Sequence, residues 1–328
     1  MYRDQQRLAR YGPDQSTYTL AIVTDEDQDA QVTLDDGQQV WQSRLRYDRA
    51  HRSVDTDGAV TYRFEDLSAQ SDNERQLIST IAEAGRGAEF SELVMFGKWL
   101  VAFDDRTGLV CEVREGHELI PRTILVTGPG DAVFKGFKAE WATLYGDELV
   151  VGSHGKVGVG PDGDLTTGHE EWVKRIQPNT YQVISEDWSA AYRAMREALG
   201  VDPGRGYVVH EAAEWHPLHE RWVFFPRKVS FDPFDEARDE RECGNNKMLI
   251  ASPDFDDVRV VEVGARTPER GVSSIKMVPG HPDEFIATKS VEVGDRTATY
   301  LFAFDWHGRV LSEETKIGDY KCEGVEIV

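Results

Sequence analysis

The chain has 328 residues, a mass of 37.0 kDa and a formal net charge of −22 with a pI near 4.8. That balance excludes a surface built to coat nucleic acid, which needs clustered Lys and Arg facing phosphates, and no apolar run approaches the ~18 residues that span a bilayer. A hydrophobic content of 40% with 8 Trp supplies a sizeable core, whereas three cysteines (Cys111, Cys243, Cys322) are too few for a disulfide framework and read as buried free thiols.

In chain order, residues 1–10 are charged and lack an apolar h-region, so no signal peptide is expected in them. The expected location is soluble, secreted where a leader has been removed and otherwise cytoplasmic. Residues 17–23, 40–47 and 60–64 are β-rich runs separated by polar, Gly-bearing turns. Asp25-Glu26-Asp27-Gln28-Asp29 opens like an EF-hand loop, but Ala30 holds the position that needs Gly, which excludes that loop. Residues 73–84 fit either a short helix or an outer strand.

Residues 86–106 introduce a pattern that returns four times. Ser91 precedes an apolar strand, a Gly turn, a second strand and the polar cluster Asp104-Asp105-Arg106. Glu140, Glu211, Ser274 and Glu323 open the same plan, at spacings of 49, 71, 63 and 49 residues. A loose period with two hairpin-linked strands per unit is the mark of radial repetition. The reading is all-β, a single-domain five-bladed β-propeller over residues 1–328 with four-stranded antiparallel blades. The last copy is cut short, so the N-terminal strands are expected to pair with the C-terminal strand and close the ring.

Between these units, residues 187–199 read as the one good helix, with Trp188, Tyr192, Met195 and Leu199 on one face and Gly200 and Pro203 as its stop. The Gly-rich loop 155–168 lacks the Gly-Lys-Ser/Thr ending of a phosphate-cradling loop. The acidic run 232–242 is expected to be a mobile hairpin between two strands.

First strands line a propeller's channel, which places Ser91, Glu140, Glu211, Ser274 and Glu323 at one depth around the axis. Three converging carboxylates repel by several kcal/mol unless neutralised. A hard divalent cation would do so, and all-oxygen ligation with neither His nor Cys suits Ca2+. Protonation of these acids, or their pairing with Lys138, Lys276 and Lys321, each two residues from one of the five positions, is the alternative, and a purely structural ion that pins the blades is a second. Second strands end at the same rim, so Asp104-Asp105-Arg106, Ser153-His154, Arg227-Lys228 and Lys289-Ser290 gather at the mouth with Asp25 and Asp27. Arg106, Arg227 and Lys289, with Lys228 as alternate, are the candidates for gripping phosphates. Asp25, Asp27 or Asp104 is the candidate for activating water, and the chemistry that fits is metal-assisted hydrolysis of a phosphoanhydride. Trp141 and Trp215 are candidates for stacking a base, weighed against a place in the core.

Gly136-Phe137-Lys138-Ala139-Glu140-Trp141, Asp104-Asp105-Arg106-Thr107-Gly108, Ala251-Ser252-Pro253-Asp254-Phe255, Glu314-Thr315-Lys316-Ile317-Gly318 and the closing Glu323-Gly324-Val325-Glu326 resemble the calcium-activated nucleotidases, apyrases of the bed-bug salivary and vertebrate secretory type. The resemblance runs from about Thr19 to Val328. It implies a five-bladed propeller with one axial calcium that hydrolyses nucleoside di- and triphosphates of the ADP, GDP and UDP class to release orthophosphate, and it places the calcium ligands at Ser91, Glu140, Glu211, Ser274 and Glu323. Glu92 stands where that family often has Asp. A calcium-dependent lactonase or phosphotriesterase, or a non-catalytic calcium-stabilised binding propeller, stays open, because fold alone does not choose.

Overall fold

The computed structural model describes residues 14–67, 70, 73–130, 135–159, 165–166, 168–202 and 204–328. Residues 1–13, residues 160–164 and 167 of the Gly-rich loop, and Pro203 lie outside the described residues. Each of four repeats folds as an antiparallel four-stranded sheet in chain order. Blade A holds Phe90–Phe96, Trp99–Asp104, Leu109–Arg114 and Glu118–Ile124. Blade B holds Trp141–Tyr145, Glu148–Gly152, Trp172–Ile176 and Val183–Asp187. Blade C holds Tyr207–His216, Arg221–Ser230, Lys247–Ala251 and Val258–Glu262. Blade D holds Gly271–Val278, His281–Val293, Arg296–Asp305 and Thr315–Gly318.

The closing sheet is the velcro the sequence pattern required. Its inner strand is Cys322–Ile327, which pairs antiparallel with Thr17–Thr24, and that strand pairs with Gln39–Val54. This 16-residue strand also carries Gln31–Thr33, Val60–Glu65 and Glu74–Ser79, giving six strands where four were expected. The extra length lets two short strands, Val60–Glu65 and Glu74–Ser79, share the outer position end to end. Residues 73–84 thus resolve as strand, not helix.

Burial follows position in the blade. Inner strands are buried along nearly their whole length because a neighbouring blade covers each face, while the outer Glu118–Ile124 alternates between half-buried and exposed. The apolar core divides into five clusters, one at each contact between adjacent blades. The B–C contact is the widest gap in the repeat spacing, and helix α1 (Ser189–Ala198) fills it: Tyr192, Met195 and Leu199 pack on Trp141, Val208 and Trp222, as the apolar face predicted. The acidic run differs from expectation. It forms helix α2 (Glu236–Glu242), started by Asp235, whose side chain accepts the Arg238 N–H at 3.0 Å, and pinned by Asp239, which accepts the Tyr207 hydroxyl. Capping and one buried anchor outweigh the repulsion of the run.

Candidate metal centre and channel mouth

The inner strands lose register where the repeat predicted site residues. The ladder slips at Ser91 in blade A, at Glu211 and Ala212 in blade C, at Ser273 beside Ser274 in blade D and at Glu323 and Gly324 in the closing blade. Glu140 sits one residue before its strand begins, its N–H bonded to the Gly152 carbonyl at 2.9 Å. A bulge bends a strand and re-aims its side chains, so four sectors use the same device at the same level of the pore.

All five residues are at least nine-tenths buried. Ser91 Oγ donates to the Ala139 carbonyl, tying blade A to blade B, and Ser274 Oγ donates to Glu92 at 3.0 Å from each carboxylate oxygen. Glu92 also meets Lys276 at 2.9 Å, so this residue beside Ser91 links blades A and D. Burial pushes its carboxyl up to about 8, with Lys276 opposing.

Side-chain cations reach the three predicted carboxylates, as the alternative reading required for two of them. Lys138 lies 2.7 Å from Glu140 and also binds Asp105. Lys321 lies 3.1 Å from Glu323, 2.7 Å from Asp25, 2.9 Å from Glu292 and 3.3 Å from Asp27. Arg227 joins Glu211, Glu292 and Glu323 in one fork. Lys276 serves Glu92 instead. Glu89, whose carboxylate stands within 4.8 Å of those of Asp25 and Asp27, is held by Arg86.

Carboxylates outnumber cations here: Asp25, Asp27, Glu89, Asp105, Glu140, Glu211, Glu292 and Glu323 against Arg86, Lys138, Arg227 and Lys321. The excess is felt. Burial, with help from Glu211 and Asp105, pushes Glu140 up to about 8 against the pull of Lys138. Glu323 is driven well up by burial and by Asp25 and Glu211, and Glu89 up to about 7 by burial and Asp105. Asp25 rises to about 6, chiefly by burial. Glu292 goes the other way: burial would raise it, but Arg227 and Lys321 outweigh that and bring it down to about 2. Oδ1 of Asp105, buried, has no hydrogen-bond partner among the described residues. An oxygen-only donor set with surplus negative charge and an orphaned buried carboxylate oxygen fits a hard cation with oxygen ligands.

The predicted mouth residues divide. Asp25 and Asp27 reach the carboxylate cluster. Asp104 does not: its oxygens accept the N–H groups of Arg106, Thr107 and Ala88 at 2.9, 3.0 and 2.9 Å, so it fixes the turn while Asp105 faces the channel. Arg106 pairs with Glu83 at 2.7 Å. Lys289 is buried over Phe302 and pairs with Glu314 at 2.6 Å, because strand alternation gives the opposite face to Ser290, whose Oγ donates to the Cys322 carbonyl at 2.8 Å. Lys228 has no carboxylate within ion-pairing distance among the described residues. Trp141 and Trp215 are core, Trp141 Nε1 donating to the Ser153 carbonyl and the Tyr192 hydroxyl at 3.1 Å. Asp105 was placed at the mouth from sequence but given no role, and Glu89, Glu292 and Lys156 were not singled out. The first was legible in principle, as one of two adjacent aspartates of which alternation admits only one to the pore.

Over residues 27–328 the sequence matches the Apyrase family. The chain belongs to the apyrase family. Among its relatives, a soluble calcium-activated nucleotidase 1 of Rattus norvegicus is 37% identical over 99% of this chain and 80% of its own length. Apyrase apy-1 of Caenorhabditis elegans is 35% identical over 94% of this chain and 83% of its own. The apyrase of Cimex lectularius is 35% identical over 95% and 82%. The apyrase match begins at Asp27, so it takes in all five inner-strand positions and most of the closing sheet. No helix among the described residues is long and apolar enough to cross a membrane.

Proposed function

We propose that the protein is a calcium-dependent hydrolase of nucleoside di- and triphosphates, of the ADP, GDP and UDP class, that releases orthophosphate. The observation that carries this is the bulged, oxygen-only ring of Glu140, Glu211 and Glu323 with Ser91 and Ser274, bordered at the mouth by cations. Those five residues would hold the ion, the serines through hydroxyl or main-chain oxygens. Calcium, when bound, would neutralise the ring and offset the charge that develops on the phosphate oxygens.

The chain's own groups do the rest. Lys228, unpaired with any carboxylate among the described residues, is the cation in the predicted set most open to a phosphate oxygen, and Lys156 stands near it. Asp105 presents the buried oxygen that can take a proton from the attacking water, and Asp25 orients the same region through Lys321. Arg227 keeps Glu211, Glu292 and Glu323 in place and is released to phosphate only as its carboxylates find another partner.

The test is phosphate release from ADP, GDP, UDP and the matching triphosphates in calcium, magnesium or chelator. Activity in calcium, its loss in chelator and a fall of orders of magnitude in Glu140→Ala are expected. A calcium-dependent rise in melting temperature with no phosphate from any nucleotide would instead identify a binding propeller.

A further inference from the structure

Two phenylalanines among the described residues are exposed, and both lie in the segment that joins blade C to α2: Phe231 at 53% and Phe234 at 55%. A solvated aromatic ring is costly unless something covers it in use. Phe234 is not an idle surface residue, because its ring is held. Tyr207 meets it edge-on at 5.9 Å, Tyr207 is itself anchored to Asp239 of α2, and Lys156 Nζ sits 3.3 Å from the ring centroid.

Its place relative to the carboxylate ring follows from register. Blade C's first two strands continue past Glu211: Tyr207 pairs with Ser230 and Val209 with Lys228. The hairpin therefore rises above the ion level as a wall. Four residues of strand from Glu211 to Tyr207 span about 13 Å, on the scale of an extended nucleoside diphosphate. Lys228, opposite Val209, stands between the two ends and Lys156 at the Tyr207 end, 4.9 Å from the centroid of that ring, neither with a carboxylate in ion-pairing distance among the described residues. Burial depresses Lys156, and Lys228 is the next cause, so the two ammonium groups feel each other. The half-buried His154 ring is likewise pushed down by desolvation and then by Lys138, Lys156 and Lys135. The α2 carboxylates Asp239 and Glu236 oppose that depression of Lys156 without pairing with it, so in a chain of net charge −22 both ammonium groups stay available to a phosphate.

We propose that Phe234 is the platform on which the nucleobase stacks, with the phosphates crossing Lys156 and Lys228 toward the carboxylate ring. The ring grips a base by its face, and a π-face is common to every base, so the platform gives affinity for nucleotides without choosing among them. Trp141 and Trp215, the aromatics nearest the inner strands, are buried in the B–C core and present no face to a ligand.

This rests on the hydrolase reading, and the experiment separates the two. Steady-state kinetics in calcium compare ADP and UDP with inorganic tripolyphosphate, which has the anhydride but no base; tripolyphosphate is measured as a substrate or, where it is not turned over, as a competitive inhibitor. Phe234→Ala is expected to raise KM for both nucleotides about tenfold, to leave the tripolyphosphate constant unchanged, and to be rescued by Phe234→Trp. Lys156→Gln is expected to weaken nucleotide and tripolyphosphate alike. Phe231→Ala, equally exposed, changes neither. A wild-type protein inert toward every nucleotide in calcium overturns the hydrolase reading itself. An active wild type whose Phe234→Ala variant shifts ADP and tripolyphosphate equally, or shifts neither, overturns the platform alone.

Discussion

Asp104 and Asp105 are neighbours with opposite duties, and substitution should separate them. Asp104 accepts three main-chain N–H groups, so Asp104→Ala strands buried donors; each costs about 1–3 kcal/mol, and a large drop in melting temperature is expected. Asp105→Asn keeps shape and size but removes the proton acceptor. It should cost about 100-fold or more in kcat with little change in melting temperature, measured by phosphate release alongside thermal unfolding. Equal stability losses in both variants would remove Asp105 from the chemistry. At this scale the sequence was uneven. The five inner-strand positions were legible because a repeat marks equivalent residues in each unit. Lys289 and Asp104 were placed at the mouth by the same repeat, yet strand alternation and turn capping claimed them, and neither is visible from spacing alone. Lys138 and Lys321 were visible as i ± 2 neighbours of Glu140 and Glu323, the spacing that shares one face of a strand.

Elements carry two further consequences. Inner strands must pass close to one another near the axis, and Gly324 marks one such approach: a Cβ there would lie 2.8 Å from main-chain atoms of Glu92. Gly324→Ala is therefore expected to lower the melting temperature and, because Glu323 and the Glu92–Ser274 bond move with it, to weaken calcium binding as well, which calorimetric titration of the folded variant would measure. The second consequence lies at the far ends of the blade C and D hairpins. His216 is buried, accepts the His219 N–H at Nδ1 (3.2 Å) and donates from Nε2 to the Pro282 carbonyl (3.1 Å), a neutral tautomer packed on Trp306. Burial, then the neighbouring His219, lowers its pKa from 6.5 to about 4, with Asp283 and Glu214 opposing. The unfolded chain takes up this proton as pH falls through 6.5, while the folded chain resists until about 4. Stability from this residue is thus intact above pH 6.5 and lost progressively down to about pH 4. Denaturant midpoints measured across that window should fall with pH, and His216→Gln, which can keep both hydrogen bonds without titrating, should flatten the curve. Helix α1 and most strands were readable from period; α2 was not, because an acidic run says nothing of the cap and the single buried aspartate that fold it.

As a whole, the molecule is a ring whose last inner strand belongs to both the closure and the proposed ion site. The sequence foretold five sectors and the N-terminal clasp, since an open repeat at one end demands partners from the other. It did not foretell six strands in the clasp, because the outer pair follows from the length of one strand rather than from the repeat. Glu323 lies in the strand that zips to Thr17–Thr24, while Glu140 and Glu211 come from blades B and C. An ion shared by these sectors, as proposed, would bind the closed ring and not the opened chain, which would link closure and ion affinity. At a free calcium concentration of 100 times Kd the linkage is worth about 2.7 kcal/mol. Melting temperature should consequently rise by several degrees with calcium, in proportion to the logarithm of its concentration above Kd, and less with magnesium, which demands a tighter octahedron. Glu323→Gln and Glu211→Gln should each abolish the rise, whereas Asp256→Asn, which removes an exposed charge far from the axis, should preserve it. A rise of equal size in all three variants and the wild type would mean that calcium acts only by screening the acidic surface, and the axial ring would lose its claim to the ion.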